Sequence, residues 1–280
     1  MIYEPEIYTA RFHGMAERWE RISGYSGCRV RRHGPVSGVY YQFPAASPLS
    51  KGVRLAFFSD LHYTGTHEEQ LNVLAAAELA AEFRPDYLLF GGDIAGHSVD
   101  LETSFSGLSY FHKIDCVKLA VPGNWESGKP WVPADFWKNH FCRYGFQYLV
   151  NSMYMDRRCA IYGLGDFSGG NRARRPEWPQ DVPQRIILTH RPDNAVAIDS
   201  WRRPDPLAPL IFCGHLHGGQ IRLPWIGPLY CRSSFYGRTF DYGVYRHNRG
   251  DHMVISSGMG ELSCPIRFCC RREIVLVELQ

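Results

Sequence analysis

No stretch of this 280-residue chain is apolar for long enough to cross a bilayer as a helix. The first twenty residues also lack the continuous apolar core of a secretion signal, because Glu4, Glu6, Arg11 and Glu17 interrupt them. Charge of one sign is scarce in excess: the net value is +3, too little to argue for a nucleic-acid partner. Nine cysteines are present, yet no Cys-x-x-Cys pair occurs, so neither a zinc knot nor a disulfide framework is expected. Those thiols are expected to be reduced and mostly buried, in a cytoplasmic protein. There is no internal repeat, and the only biased tract is the Arg-, Pro- and Gly-rich stretch 169–183, which reads as a surface loop. What remains has the balance of a globular enzyme or binding domain, with 45% hydrophobic and 21% charged residues.

Short apolar runs carry the organisation. Val53 to Ser59 reads as a buried strand, and Asp60 and His62 of Asp-Leu-His sit just past its C-terminal end. Tyr87 to Phe90 delivers Gly91-Gly92-Asp93, and Val117 to Val121 delivers Gly123-Asn124-Trp125-Glu126. Ile186 to Leu188 leads to His190, and Leu210 to Cys213 leads to Gly214-His215-Leu216-His217. Further strands are expected at 146–150, 159–164, 254–256 and 274–279. Thr66 and Glu69 form a capping box that starts a helix with Leu71, Leu74, Ala75, Leu79 and Phe83 on one buried face. Other helices are expected over 100–113 and 135–144. The alternation of strand and helix, becoming strand-dense after residue 146, predicts two facing sheets with helices outside. Chemistry in such folds gathers at strand C-termini.

Carboxylate, imidazole and carboxamide suit borderline divalent ions such as Mn, Fe, Zn or Mg, and the absence of thiolate argues against a structural zinc site. Asp60, His62, Asp93, Asn124, His190, His215 and His217 are too many for one four-coordinate ion. They fit two ions sharing a carboxylate, which at about 3.5–4 Å separation can hold a nucleophilic hydroxide and phosphoryl oxygens together.

In this order and spacing the clusters resemble the calcineurin-like metallophosphoesterase superfamily, over roughly residues 53–280. The stretches Gly214-His215-Leu216-His217-Gly218-Gly219-Gln220-Ile221-Arg222-Leu223-Pro224 and Pro265-Ile266-Arg267-Phe268 resemble its bacterial, often membrane-associated branch. The resemblance implies a four-layer α/β/β/α sandwich at 51–280; residues 1–50, which show no clear periodicity and end in a linker marked by Pro44, Pro48 and Gly52, read as an N-terminal extension packed on the core. It implies that Asp60, His62, Asp93 and His217 hold one divalent ion and that Asp93, Asn124, His190 and His215 hold the second, with Asp93 bridging. Asp93, Asn124 and His190 are the expected catalytic residues, in a reaction where metal-bound hydroxide attacks a phosphodiester or pyrophosphate bond.

One position departs from the family pattern, which has histidine after the asparagine; here it is Trp125. The resemblance assigns that histidine to protonating the leaving group or steadying the phosphate, and an indole N–H can only donate a hydrogen bond. An active enzyme would then favour leaving groups that depart as anions, such as phosphate or an aryl oxide. UDP-2,3-diacylglucosamine pyrophosphatases, superfamily members with Arg at this place, make a nucleotide-linked lipid a candidate substrate. The alternative is a catalytically silent scaffold, disfavoured because all seven positions keep side chains that can bind metal. Trp125, Arg191 and Arg222 are expected to contact substrate, the arginines through their planar forks. Glu126 is expected to accept from a metal-binding histidine. The apolar loop from Ile221 to Tyr230 suits a phosphate-bearing lipid-linked substrate or contact with the inner-membrane surface.

Overall fold

The computed structural model describes residues 19–22, 29–95, 100–129, 131–166, 173–199, 208–231, 240–262 and 265–280. The expected surface loop at 169–183 lies partly outside them. The chain runs β1 (Trp19–Arg21), β2 (Arg29–His33), β3 (Val36–Phe43), β4 (Arg54–Phe58), α1 (His67–Phe83), β5 (Tyr87–Phe90), α2 (Leu101–Ser106), α3 (Ser109–His112) and β6 (Val117–Ala120). It continues through α4 (Asn124–Ser127), α5 (Ala134–Arg143), β7 (Phe146–Tyr148), β8 (Ser152–Met155), β9 (Ala160–Gly163), β10 (Arg185–Leu188) and α6 (Pro192–Asp199). The last part holds β11 (Leu210–Cys213), β12 (Arg222–Leu223), β13 (Gly227–Pro228), β14 (Gly243–His247), β15 (His252–Ile255) and β16 (Arg272–Leu279).

Two seven-stranded sheets form, one in the order β2-β3-β16-β4-β5-β6-β7 and the other β1-β14-β15-β11-β10-β9-β8. Their inner faces meet in a layer containing Leu55, Phe57, Leu89 and Leu119 from one sheet and Ile186, Leu188, Phe212 and Val254 from the other. Phe57 and Phe212 touch across it, with ring centroids 5.3 Å apart. The outer face of the first sheet, through Ala56, Phe58, Leu88 and Phe90, packs on α1, α2, α3 and α5. That of the second, through Ile187, Ile211 and Ile255, packs on Ala195 and Val196 of α6. The result is an α/β/β/α sandwich. Strands β4, β5, β6 and β7 are parallel, as are β9, β10, β11 and β15, so their C-terminal ends line one edge.

Three expectations need correction. The division at residue 50 falls behind strands that belong to the first sheet: β3 pairs along its whole length with β16, and β2 pairs with β3. The arginine-rich β2 and Gly38 masked the strand pattern there. In α1 the capping box is present, with the Glu69 N–H donating to Thr66 Oγ1 at 3.3 Å and the Thr66 N–H donating to Glu69. The buried face includes the expected Ala75 and Leu79 together with Val73, Ala76, Ala77 and Ala80, while Leu71 and Leu74 face solvent. Small side chains let this helix sit close on the sheet, so alanines rather than leucines mark the contact. The expected helix over 100–113 is two short ones, α2 and α3. Strands β8 and β14 and helix α6 were not expected from the sequence.

Candidate metal centre

The seven ligand candidates converge at that shared edge. Asp60, His62 and His217 form one buried group and Asp93, His190 and His215 another; within each, one ligand atom per residue lies within 4.8 Å of the others. Asn124 joins the second group, its Oδ1 3.0 Å from His190 Nε2. The groups meet at one oxygen: Asp93 Oδ2 is 3.6 Å from His62 Nε2 and 3.2 Å from His190 Nε2. Asp60 Oδ1 is 3.4 Å from His217 Nε2.

The imidazoles are oriented by the backbone. His62 Nδ1 lies 3.1 Å from the Ala95 carbonyl, His190 Nδ1 2.8 Å from that of Gly91, and His217 Nδ1 3.2 Å from that of Gly260. A carbonyl oxygen only accepts, so each Nδ1 carries a proton and, in the neutral ring, the lone pair sits on Nε2. His62 and His217 then aim two Nε2 lone pairs at each other across 3.2 Å, with their rings stacked at 5.1 Å. In the second group a neutral His190 would aim its lone pair at the Asn124 carbonyl and the Asp93 carboxylate, a clash that a cation or a proton on Nε2 relieves. Electron-pair donors converging on electron-pair donors in a buried space are what a divalent cation fits.

Titration behaviour in the protein alone follows the same crowding. Burial opposes charge on His190, but the Asp93 carboxylate beside it outweighs burial and pushes the imidazole up to about 10. Asp93 is held far below the usual carboxylate range, its desolvation overcome by His190 and His62. Asp60 is pushed up to about 6 by burial and by the Asp93 charge. Burial and the neighbouring His62 hold His217 well below an ordinary histidine.

Backbone geometry is unusual at the same residues. Asp60, His62, Asp93, His215 and His217 have φ of 55°, 41°, 59°, 74° and 51°. Left-handed backbone costs a non-glycine residue on the order of 1 kcal/mol, and its concentration on the candidate ligands points to a functional demand. Glycines let the loops press together. A Cβ on Gly123 would lie 2.1 Å from Asp93 Oδ1, and one on Gly214 would lie 2.3 Å from Asp60 Oδ2. Asp60 also accepts the His215 N–H at 3.0 Å, tying the first and last ligand loops.

The other expected site residues are placed as follows. Trp125 lies against the centre: its backbone N–H donates to Asp93 Oδ1 at 2.9 Å, and its ring stands edge-on to His62 at 5.6 Å. Arg191 follows His190, and its Nε donates to the buried Asp166 at 3.0 Å. Arg222 is committed elsewhere: it pairs with Asp241 at 2.9 Å, donates to the Gly218 carbonyl at 2.8 Å and lies on the Tyr242 ring. Glu126 corrects its expectation. Its carboxylate accepts from the backbone N–H groups of Asp93, Ile94 and Gly123 at 2.9, 2.8 and 2.6 Å, and so staples two ligand loops rather than orienting an imidazole.

The sequence reading missed a loop after β15. The Met259 and Gly260 N–H groups donate to the Ser59 and Asp60 carbonyls, and the Gly260 carbonyl holds His217. Arg267, buried beneath it, donates to the carbonyls of Ser257, Gly260 and Arg271. Its signal was available as Ser256-Ser257-Gly258-Met259-Gly260 directly after an apolar run. All described cysteines are free. Among the described residues no helix is long and apolar enough to cross a membrane.

Two sheets bearing a buried cluster of histidine, aspartate and asparagine at their common edge define a metal-dependent phosphoesterase. The chain belongs to the calcineurin-like phosphoesterase family, whose sequence profile matches residues 53–219. It is 27% identical over 244 residues to the uncharacterized metallophosphoesterase YkuE of Bacillus subtilis, covering 82% of this chain and 79% of that one. It is 28% identical over 238 residues to the phosphodiesterase YaeI of Escherichia coli, covering 81% of this chain and 82% of that one. Among solved structures, TT1561 of Thermus thermophilus aligns at 10% identity and a TM-score of 0.43, over 75% of this chain and 91% of that one, too low a score to carry an argument.

Proposed function

We propose that this chain hydrolyses phosphodiester or pyrophosphate bonds whose leaving group departs as an anion, using two divalent ions held by Asp60, His62, Asp93, Asn124, His190, His215 and His217. The observation that carries the reading is the single Asp93 oxygen lying within 3.6 Å of His62 and 3.2 Å of His190, which makes one carboxylate common to both ligand groups. When bound, divalent ions supply positive charge to a phosphoryl oxygen and activate water. The protein contributes the rest. Asp93 fixes the separation of the two groups, Asn124 offers its carboxamide beside His190, and the Nδ1 hydrogen bonds keep His62, His190 and His217 aimed inward. Trp125 gives no proton to a leaving oxygen, which favours phosphate or aryl oxide over alkoxide. A nucleotide-linked lipid diphosphate fits this preference. The silent-scaffold alternative is opposed by the complete ligand set.

The test is to purify the protein, measure bound Mn, Fe, Zn and Mg, and assay bis(p-nitrophenyl) phosphate with Mn added. Turnover that chelation removes supports the reading; no bound metal and no turnover sinks it in favour of a scaffold. Trp125→His should raise the ratio of alkyl phosphate to pyrophosphate turnover by about tenfold, the low end of what a positioned acid contributes. An unaltered ratio would make residue 125 purely structural.

We also propose that the β12–β13 hairpin touches a lipid-linked substrate or a membrane surface. It follows directly on the His217 loop, its tip residue Trp225 is 103% exposed, and Ile226, Leu229, Tyr230, Ile266 and Phe268 are exposed near it. Aromatic side chains of this kind favour the lipid headgroup region. Replacing Leu223, Trp225 and Ile226 together by Ala should cut retention on anionic liposomes by about tenfold or more, given about 25 cal/mol for each Å² of apolar surface buried. Retention that stays the same, or that the unaltered protein never shows, removes membrane contact.

A further inference from the structure

Lys129 has a placement that the metal centre itself does not use. It lies one helical turn beyond Trp125, just past α4, and its backbone N–H donates to the Glu126 carbonyl at 3.2 Å. Its ammonium donates to the Trp125 carbonyl at 2.8 Å and sits 5.0 Å from the centroid of the Trp125 ring. That ring meets His62 edge-on, and its backbone N–H holds Asp93. The ammonium is thus fixed by two contacts to Trp125, a residue that itself touches His62 and Asp93. Among the described residues it has no carboxylate partner, whereas the arginines around the site are paired: Arg191 with Asp166, Arg222 with Asp241 and Arg267 with Glu261. A half-buried ammonium held over an indole and left without an acid retains N–H donors for an incoming anion.

We propose that Lys129 binds a second phosphate group of the substrate, on the leaving-group side of the scissile bond, and so makes the site selective for diphosphates over diesters whose leaving group carries no phosphate. The inference rests on the phosphohydrolase reading and narrows it. Hydrolysis adds the oxygen of one water to phosphorus and breaks the bond from phosphorus to the bridging oxygen. The electron pair of that bond leaves on the departing phosphate, and the protons of the water pass to the products and solvent. A departing phosphate carries growing negative charge, and a charge-assisted hydrogen bond from Lys129 strengthens as that charge grows. The Trp125 ring contacts both the ammonium and His62, which ties this donor to the metal centre. Lys129 thereby offsets the missing acid at position 125 without transferring a proton.

The experiment uses the full chain with Mn and two substrates, UDP-glucose and bis(p-nitrophenyl) phosphate. Lys129→Ala should raise KM for UDP-glucose about tenfold or more and lower kcat/KM for the diester by about threefold at most, with Lys129→Arg restoring most of the loss. In parallel, calorimetry with methylenediphosphonate and inorganic phosphate reads binding without turnover. Lys129→Ala should weaken the diphosphonate about tenfold and phosphate by about threefold at most. Equal losses on both probes, or none on the diphosphate, overturn the proposal. If the unaltered protein turns over neither substrate, the phosphohydrolase reading fails, and the calorimetric pair alone decides the role of Lys129.

Discussion

Asp93→Asn should lower kcat at least about a thousandfold while leaving the circular dichroism of the protein unchanged. A thousandfold corresponds to about 4 kcal/mol, within the range lost when one member of a buried charge cluster is neutralised. The substitution keeps shape and volume, and the new side chain can still accept the Trp125 N–H that Asp93 Oδ1 now accepts at 2.9 Å. What it removes is the negative charge on the one oxygen shared by His62 and His190. A carboxamide turned to present its oxygen there offers a weak donor where two ligand groups share a strong one. Turned the other way, it aims an N–H at the imidazoles. Bound metal should fall below two ions per chain, read by elemental analysis on the same sample. The companion variant Asn124→Ala touches the second group alone and should lose less. Near-normal turnover in Asp93→Asn would show that the carboxylate is not shared, and the two-ion centre would have to be abandoned.

The convergence of the candidate ligands was legible because each lies two to four residues past a buried strand's end, and because parallel strands carry those ends to one edge. The strands β4, β5, β6, β10 and β11 announce themselves as apolar runs, and the residues after them are the ones that meet. What was not legible depends on partners remote in sequence. Glu126 reads as a polar neighbour of Asn124, but its role is set by Asp93 and Ile94, more than thirty residues away. Arg222 reads as a fork beside the histidines, yet Asp241 on a later segment turns it aside. The buried face of α1 was misread because the sheet admits Ala76, Ala77 and Ala80 at close range, and spacing alone weights leucine above alanine. β3 hid because its partner is β16, at the other end of the chain. Fold class and the meeting of the candidate ligands were therefore readable from local pattern, while the supporting contacts needed the assembled sheets.

Glu126→Gln should destabilise the protein by about 3 kcal/mol, the scale of misplacing one hydrogen-bonding group at a buried charge. Glu126 is 2% exposed, and its two oxygens accept three backbone N–H groups, two on one oxygen and one on the other. A carboxylate has acceptor sites on both oxygens; a carboxamide has an acceptor on one side and two donors on the other. With its oxygen toward Asp93 and Gly123, glutamine must aim its NH2 at the Ile94 N–H, two donors face to face. Reversed, it loses two bonds instead of one. Burial and the nearby Asp93 charge raise the Glu126 carboxyl, and the three N–H donors oppose that rise. The substitution thus also tests the charge state, because a side chain that was already neutral in the fold would lose little on becoming an amide. Urea denaturation of metal-free protein gives the stability change. The Gly91–Asp93 and Gly123–Asn124 loops are the segments that the carboxylate joins, so their backbone amides should also exchange with deuterium faster in the variant. A change below about 1 kcal/mol, in the range of an ordinary surface substitution, would mean that the loops hold their geometry without the staple and that the left-handed backbone at Asp93 is fixed by the sheet ends alone.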